Sequence, residues 1–310
     1  MPRRALHWLA LAWGWSLLWP TTFVLGVARL RGWEVARAHA TTGGWEDYLQ
    51  LALVIPYLAG FAGVNALFRR LHPDAPPAPA ALRFGPGVLA GWVGPVVLVW
   101  GTVVTAHLLG QGELDLSGAA IVARKGLVGA QAQDLAAQLA SAPMPHAAYA
   151  CVQALIVSLM MYAPLWGASE AGWRGVLDRE LAPMGPVRSA LVAGPAWAVS
   201  LMPFGLLGIY FPGGGIVGSL VLLGCLVPLG LVLIVLRRRA ATIWASAAAL
   251  GTLMGLSGFH ELVFAQGDPR FQGVPGLLGA ALVVVAMLAW VARAGAHGVF
   301  APPRDPSEAP

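Results

Sequence analysis

The sequence predicts an all-α, polytopic integral membrane protein of about eight transmembrane helices, forming one membrane domain over residues 1–310. Three observations predict it. Charged residues make up 11 % of the chain, whereas a soluble globular domain carries roughly 25 %. Hydrophobic types reach 58 % and the mean hydropathy is +0.71. The apolar residues gather into eight runs, each near the ~20 residues needed to cross a bilayer: 5–28, 48–68, 86–109, 147–168, 188–210, 216–236, 242–264 and 276–296. Such a chain cannot cover itself with a water-compatible surface. That excludes a soluble cytosolic enzyme, a disordered protein and a fibrous one.

The first run follows Pro2-Arg3-Arg4. It is too long for a cleaved signal peptide, and no small-residue cleavage site precedes the next polar stretch, so it is expected to be a retained span. Trp8, Trp13, Trp15 and Trp19 line it, some of them at the membrane interfaces where tryptophan concentrates. Residues 69–83 form a proline-rich linker. Residues 110–146 are the longest non-spanning stretch, and Leu127, Gln131, Leu135 and Leu139 predict one short amphipathic surface helix there. Pro212-Gly213-Gly214-Gly215 reads as a tight turn, and the polar tail 302–310 as disordered. No internal repeat is visible, which argues against a transporter built from inverted halves.

Net charge is +5. In a spanning chain this excess anchors helix ends against acidic headgroups and sets orientation; nucleic acid is not an expected partner. With the N-terminus in the cytoplasm, thirteen basic residues fall on that side: Arg3, Arg4, Arg69, Arg70, Arg83, Arg174, Arg179, Arg188, Arg237, Arg238, Arg239, Arg293 and Arg304. Six fall opposite: Arg29, Arg31, Arg37, Arg124, Lys125 and Arg270. Both termini are therefore expected inside, with Arg237-Arg238-Arg239 the clearest stop signal. Lys125 is the single lysine among nineteen basic residues. That bias fits a GC-rich bacterial genome and hence a bacterial plasma membrane. Cys151 and Cys225 lie in apolar runs without metal-ligand spacing and are expected to be core thiols.

Ionisable residues within spans are costly and therefore functional candidates. Glu170 and Arg174 close the fourth span, four apart on one helix face, with acid before base as an i,i+4 pair prefers. His260 and Glu261 end the seventh run, and His107 ends the third; these are expected at headgroup level. Adjacent residues on a helix point about 100° apart, so His260 and Glu261 rarely ligate one metal. Gly251 and Gly255 allow a close helix approach.

Ser169-Glu170-Ala-Gly172-Trp173-Arg174-Gly175 resembles the Glu-Glu-x-x-x-Arg motif of the CAAX protease and bacteriocin-processing (CPBP, or Abi) membrane family. Downstream, Trp197-Ala-Val-Ser200-Leu201-Met202-Pro203 is similar to that family's Trp-Ala-x-Trp-His-x-Pro segment. Thr242-Ile243-Trp244 resembles the entry to its His-x-x-x-Asn segment. The resemblance covers about residues 140–296 and implies a CPBP-like helical bundle.

Members of that family are intramembrane endopeptidases, some acting on prenylated CAAX proteins. A glutamate and a histidine activate water, while a second histidine and an asparagine stabilise the oxyanion. The resemblance places those four roles at Ser169, Leu201, Leu250 and Met254; only Glu170 and Arg174 keep the motif's identity. No histidine occurs between His146 and His260, so a shift of register does not restore the set. General-base catalysis needs a titratable group at the water, and an oxyanion needs aimed donors; leucine and methionine supply neither.

The leading expectation is therefore a catalytically inactive pseudoprotease that binds a lipid or a partner's transmembrane segment. Its expected partners are membrane lipids and another membrane protein, with no cofactor and no metal. The alternative is an active CPBP-type endopeptidase with a diverged site using Glu170. A third reading is a small-solute transporter.

Overall fold

The computed structural model describes residues 1–36, 47–75, 85–124, 129–208, 215–267 and 276–300. The fold is almost wholly helical. Long helices are α1 (Arg3–Arg31), α2 (Asp47–Leu71) and α3 (Pro86–Leu108). A short strand β1 (Gly112–Leu114) and helices α4 (Ala119–Arg124) and α5 (Ala130–Ser141) follow. Then come α6 (His146–Glu180), α7 (Pro186–Ser200), α8 (Met202–Leu206) and α9 (Gly215–Ala240). The chain continues through α10 (Trp244–Gly255), α11 (Phe259–Val263), β2 (Phe264–Gly267) and α12 (Leu277–Phe300).

Among the described residues, seven helices are long and apolar enough to cross a membrane: α1, Ala52–Leu71 within α2, α3, α6, Pro186–Leu206, α9 and Leu278–Ala296 within α12. The protein is an all-α, multi-pass membrane protein. The eighth apolar run, 242–264, is helical but divided. Gly255, Ser257 and Gly258 interrupt it, leaving the 12-residue α10 and the short α11. Twelve residues rise only about 18 Å, short of the ~30 Å hydrocarbon core. The run still carries the chain from the Ala240 end of the bundle to β2 at the other end, but as a buried half-helix, a turn and a short helix and not as one continuous helix.

That half-helix is the centre of the bundle. Residues Ala245 to Thr252 are all buried, and α10 packs against α3, α6 and α9. Its small residues let the neighbouring backbones come close. A Cβ on Gly91 of α3 would lie 2.1 Å from the Ala245 carbonyl oxygen. Gly251 and Gly255 face α6, where added Cβ atoms would meet Ser158 and Ala154 at 2.8 and 3.0 Å. The Gly251/Gly255 pair is thus a packing device. The Thr252 hydroxyl donates to the Trp92 carbonyl of α3 at 2.9 Å, and Ser158 of α6 donates to Ala248 at 3.2 Å, tying the three helices together.

The 35-residue α6 contains two π-helical segments, Ser158–Tyr162 and Ala171–Leu177. The first precedes Pro164, which has no N–H to give and whose ring crowds the carbonyl four residues back. The wider π turn falls where that carbonyl lies. The second carries Trp173 and Arg174.

Helix ends sort into two levels. At one, Arg4 of α1 pairs with Asp74 just beyond α2, and His7 stacks on His72. Gly87 of α3 meets Ala240 of α9, and Asp178 of α6 meets Arg237 and Arg238. Arg3 and Arg4 begin α1, Arg69 and Arg70 close α2, and Arg237, Arg238 and Arg239 close α9. At the other level β1 pairs antiparallel with β2. There His146 donates to the Leu262 carbonyl at 2.9 Å, and His107 to the Gly112 carbonyl at 3.3 Å.

The surface helix expected in 110–146 is α5, which buries no residue; Leu139 leans on Gly118. The β pair was not legible, because Gly-Glu-Leu shows no period of two. Leu127, Pro212–Gly214, the tail 302–310 and the side chains of His260 and Glu261 lie outside the described residues.

Several tryptophans act as cross-helix donors. Trp13 donates to the Ala196 carbonyl, Trp15 to Tyr57 and Trp19 to Leu53, at 3.0, 2.9 and 2.8 Å. Cys151 and Cys225 form no disulfide and are buried, as expected of core thiols, and Cys151 Sγ accepts from Trp100 at 3.3 Å.

Candidate functional site: a buried ion-pair relay

Glu170, Arg174 and Asp178 stand four apart along α6, alternating in sign on one face. Arg174 Nη1 donates to Glu170 Oε1 at 2.5 Å, with the two side chains 1 % and 0 % exposed. The Arg174 guanidinium lies 4.3 Å from the centre of the Trp197 ring on α7, a cation–π contact that holds it from a second helix. Ser246 of α10 faces the Glu170 carboxylate. Its hydroxyl, however, donates to the Ile243 carbonyl at 3.0 Å, which leaves Glu170 Oε2 unserved. Glu170 Oε2, Arg174 Nη2 and Trp166 Nε1 are all buried without a hydrogen-bond partner among the described residues.

Close packing of α6 on α1 and α2 covers the opposite face of the helix. A Cβ on Gly172 would lie 2.5 Å from Trp8 and 2.8 Å from Asn65 Oδ1. Asn65 accepts from Trp8 Nε1 at 3.2 Å and donates to the Ala168 carbonyl at 2.9 Å. Trp173 meets Trp8 edge to face at 4.6 Å.

One turn beyond Arg174, Asp178 engages a second buried arginine. Arg238 Nη2 donates to Asp178 Oδ1 at 2.5 Å and Arg238 Nε to Oδ2 at 3.2 Å. The remaining donors reach the Ser189 hydroxyl at 2.7 Å and the Pro186 and Phe300 carbonyls at 2.8 and 2.6 Å. All five N–H groups of this guanidinium are used. Arg238 thereby joins the ends of α6, α7, α9 and α12. Arg237 adds a third contact to Asp178 at 3.1 Å.

Arg238 therefore does more than stop a span. Its side chain is 6 % exposed, whereas Arg239 is exposed. Reading the three arginines alike missed this, and Asp178 was not singled out at all. The 170–174–178 spacing was the available signal.

The motif positions fall on three helices. Ser169, Glu170 and Arg174 are on α6, all buried. Leu201, 4 % exposed, sits at the break between α7 and α8. Leu250, 5 % exposed, lies one turn along α10 from Ser246. Leu201 and Leu250 belong to the same apolar cluster as Trp166, Trp173 and Trp197. Met254 is half-buried a turn further along and is not part of that cluster. No group of three or more His, Cys, Asp or Glu able to hold a metal exists among the described residues.

No family model, curated protein or solved structure matches this chain. Fold and site together define a class: a multi-pass, all-α membrane protein whose interior charges are paired within α6 and from α6 to α9.

The pair makes a direct prediction. Arg174→Ala strands the Glu170 carboxylate and should cost about 3–5 kcal/mol of unfolding free energy. Glu170→Leu with Arg174→Leu should cost less than either single change, as read from unfolding in a mild detergent. Single losses that simply add would show that the two side chains are not coupled.

Proposed function

We propose that this chain is a non-catalytic membrane protein, a pseudoprotease of CPBP-like design, that works by binding a lipid or a partner's transmembrane segment. Its place is a bacterial plasma membrane with both termini in the cytoplasm. The observation that carries the proposal is the state of Glu170: fully buried and committed to Arg174 at 2.5 Å, while the other motif positions hold serine, leucine and methionine.

The chemistry behind this is simple. A general base must reach a water or substrate proton within hydrogen-bond distance. Glu170 is fully buried and holds its carboxylate on the Arg174 guanidinium, which Trp197 covers. Donors for an oxyanion would have to come from the Leu250 and Met254 positions, which have none to give. The meeting of the 169–175, 197–203 and 242–250 segments in one cluster also supports the CPBP-like reading. The orientation draws on the thirteen-to-six division of basic residues.

Purified protein in lipid should not cleave prenylated CAAX peptides or single-span substrates. Each missing acid–base group typically forfeits 10²–10⁴ in rate and each oxyanion donor about 10²–10³. Time-dependent cleavage that the Glu170→Gln variant lacks would establish the diverged endopeptidase instead.

Orientation has its own test. In a background lacking Cys151 and Cys225, a cysteine at the exposed Pro73 should be labelled only after the membrane is permeabilised. One at the exposed Glu113 should be labelled in intact cells. The reverse pattern would invert the protein.

A further inference from the structure

Between α3, α9 and α12, with α10 as its floor, lies a groove of about 240 Å³. Its lining is entirely apolar, and small residues carve it: Ala90, Gly94, Ala249 and Ala286, with Leu236 and Leu253 at its sides. A Cβ on Gly94 would meet nothing within 4 Å, whereas one on Gly91, a turn away, would collide with α10. Ala90 and Ala286 are exposed, so the groove opens sideways from the bundle. Glu170 and Arg174 are not among its lining residues.

The helix faces that line the groove continue into a basic rim at the end where the arginines gather. Three residues past Leu236 on α9 stands Arg239. Four and seven past Ala286 on α12 stand Trp290 and Arg293. Arg239 and Arg293 are exposed, and Trp290 is 38 % exposed. The Arg239 guanidinium lies 5.9 Å from the Trp290 ring and donates to the Gly298 carbonyl. A tryptophan beside arginines at a span's end marks headgroup depth.

We infer that this groove is a binding site for an anionic phospholipid, one acyl chain in the groove and the phosphate on Arg239 and Arg293. Three physical arguments select that occupant. An apolar cavity of this size at hydrocarbon depth is filled by apolar matter; engineered cavities of about 150 Å³ already take up benzene. None of the lining side chains carries a hydrogen-bonding group, which suits a bare hydrocarbon chain. Two guanidiniums at the rim match a phosphate by charge and by fork geometry, as basic sites between spans on the cytoplasmic side do. The inference gives a ligand and a place to the binding role proposed above and rests on that reading only for its purpose. A chain that cleaves peptides yet holds this lipid would fail the proteolysis test and pass the one below.

The test is native mass spectrometry of the full chain in neutral detergent, with dioleoyl phosphatidylglycerol and dioleoyl phosphatidylcholine at equal concentration. The wild type should retain one phosphatidylglycerol with a preference of about thirtyfold, two arginines contributing ~1 kcal/mol each. Arg239→Gln with Arg293→Gln should erase the preference. Ala90→Leu with Ala286→Leu, which fills the groove from exposed positions, should release both lipids; Ala286→Leu alone should do so in part if the double variant unfolds. Equal retention of the two lipids by the wild type would overturn the proposal, as would a filled groove that still holds phosphatidylglycerol.

Discussion

Arg238 is the residue on which the bundle's closed end depends. An arginine brought out of water costs several kcal/mol unless its charge and every N–H are matched. Here Asp178 supplies the charge, while Ser189, Pro186 and Phe300 take the remaining donors. Those acceptors sit on the ends of three different helices, and the arginine ends a fourth. Satisfying one side chain therefore fixes where α6, α7, α9 and α12 finish relative to each other. The kink at Gly295, with φ at 70°, bends the last turn of α12 to where the Phe300 carbonyl can take part.

The same face of α6 carries this arrangement inward. Asp178, Arg174 and Glu170 alternate in sign, so with Arg238 the buried charges of the relay cancel. Neutrality makes burial tolerable, though it does not make it complete: Glu170 Oε2 and Arg174 Nη2 still lack partners. An apolar pair of similar shape would avoid that cost, which is why an ion pair here is weak evidence for stability and better evidence for a geometry that the fold retains. A carboxylate held in this way is a poor base. The catalytic reading of the motif weakens for the same reason that the structural reading strengthens.

Much of the fold was legible because the bilayer imposes it. A chain with so few charges has to form spans, and the spans show as runs of about the right length. What remained hidden was decided by contacts that hydropathy does not record. In α9 nearly every position is apolar, so no period marks the inward face, and three arginines after it look alike whether or not one turns in. In 242–264 the glycines that end α10 sit inside an apolar run and do not lower its average. The site was half legible: Glu170 and Arg174 stood out by spacing, and Asp178 continues that spacing, while Trp197 and Arg238 needed the packing of separate helices to become neighbours.

Two adjacent arginines separate the central claim from its simplest rival. If the Arg237–Arg239 run matters only as positive charge at a membrane face, Arg238→Gln and Arg239→Gln should weaken the protein alike. If Arg238 holds four helix ends, its loss should cost about 3–5 kcal/mol while the exposed Arg239 costs under about 1 kcal/mol. Unfolding free energies of the two variants, measured side by side in one detergent, decide the matter. A large gap with Arg238→Gln the weaker protein is the predicted result, and equal small losses would contradict the account.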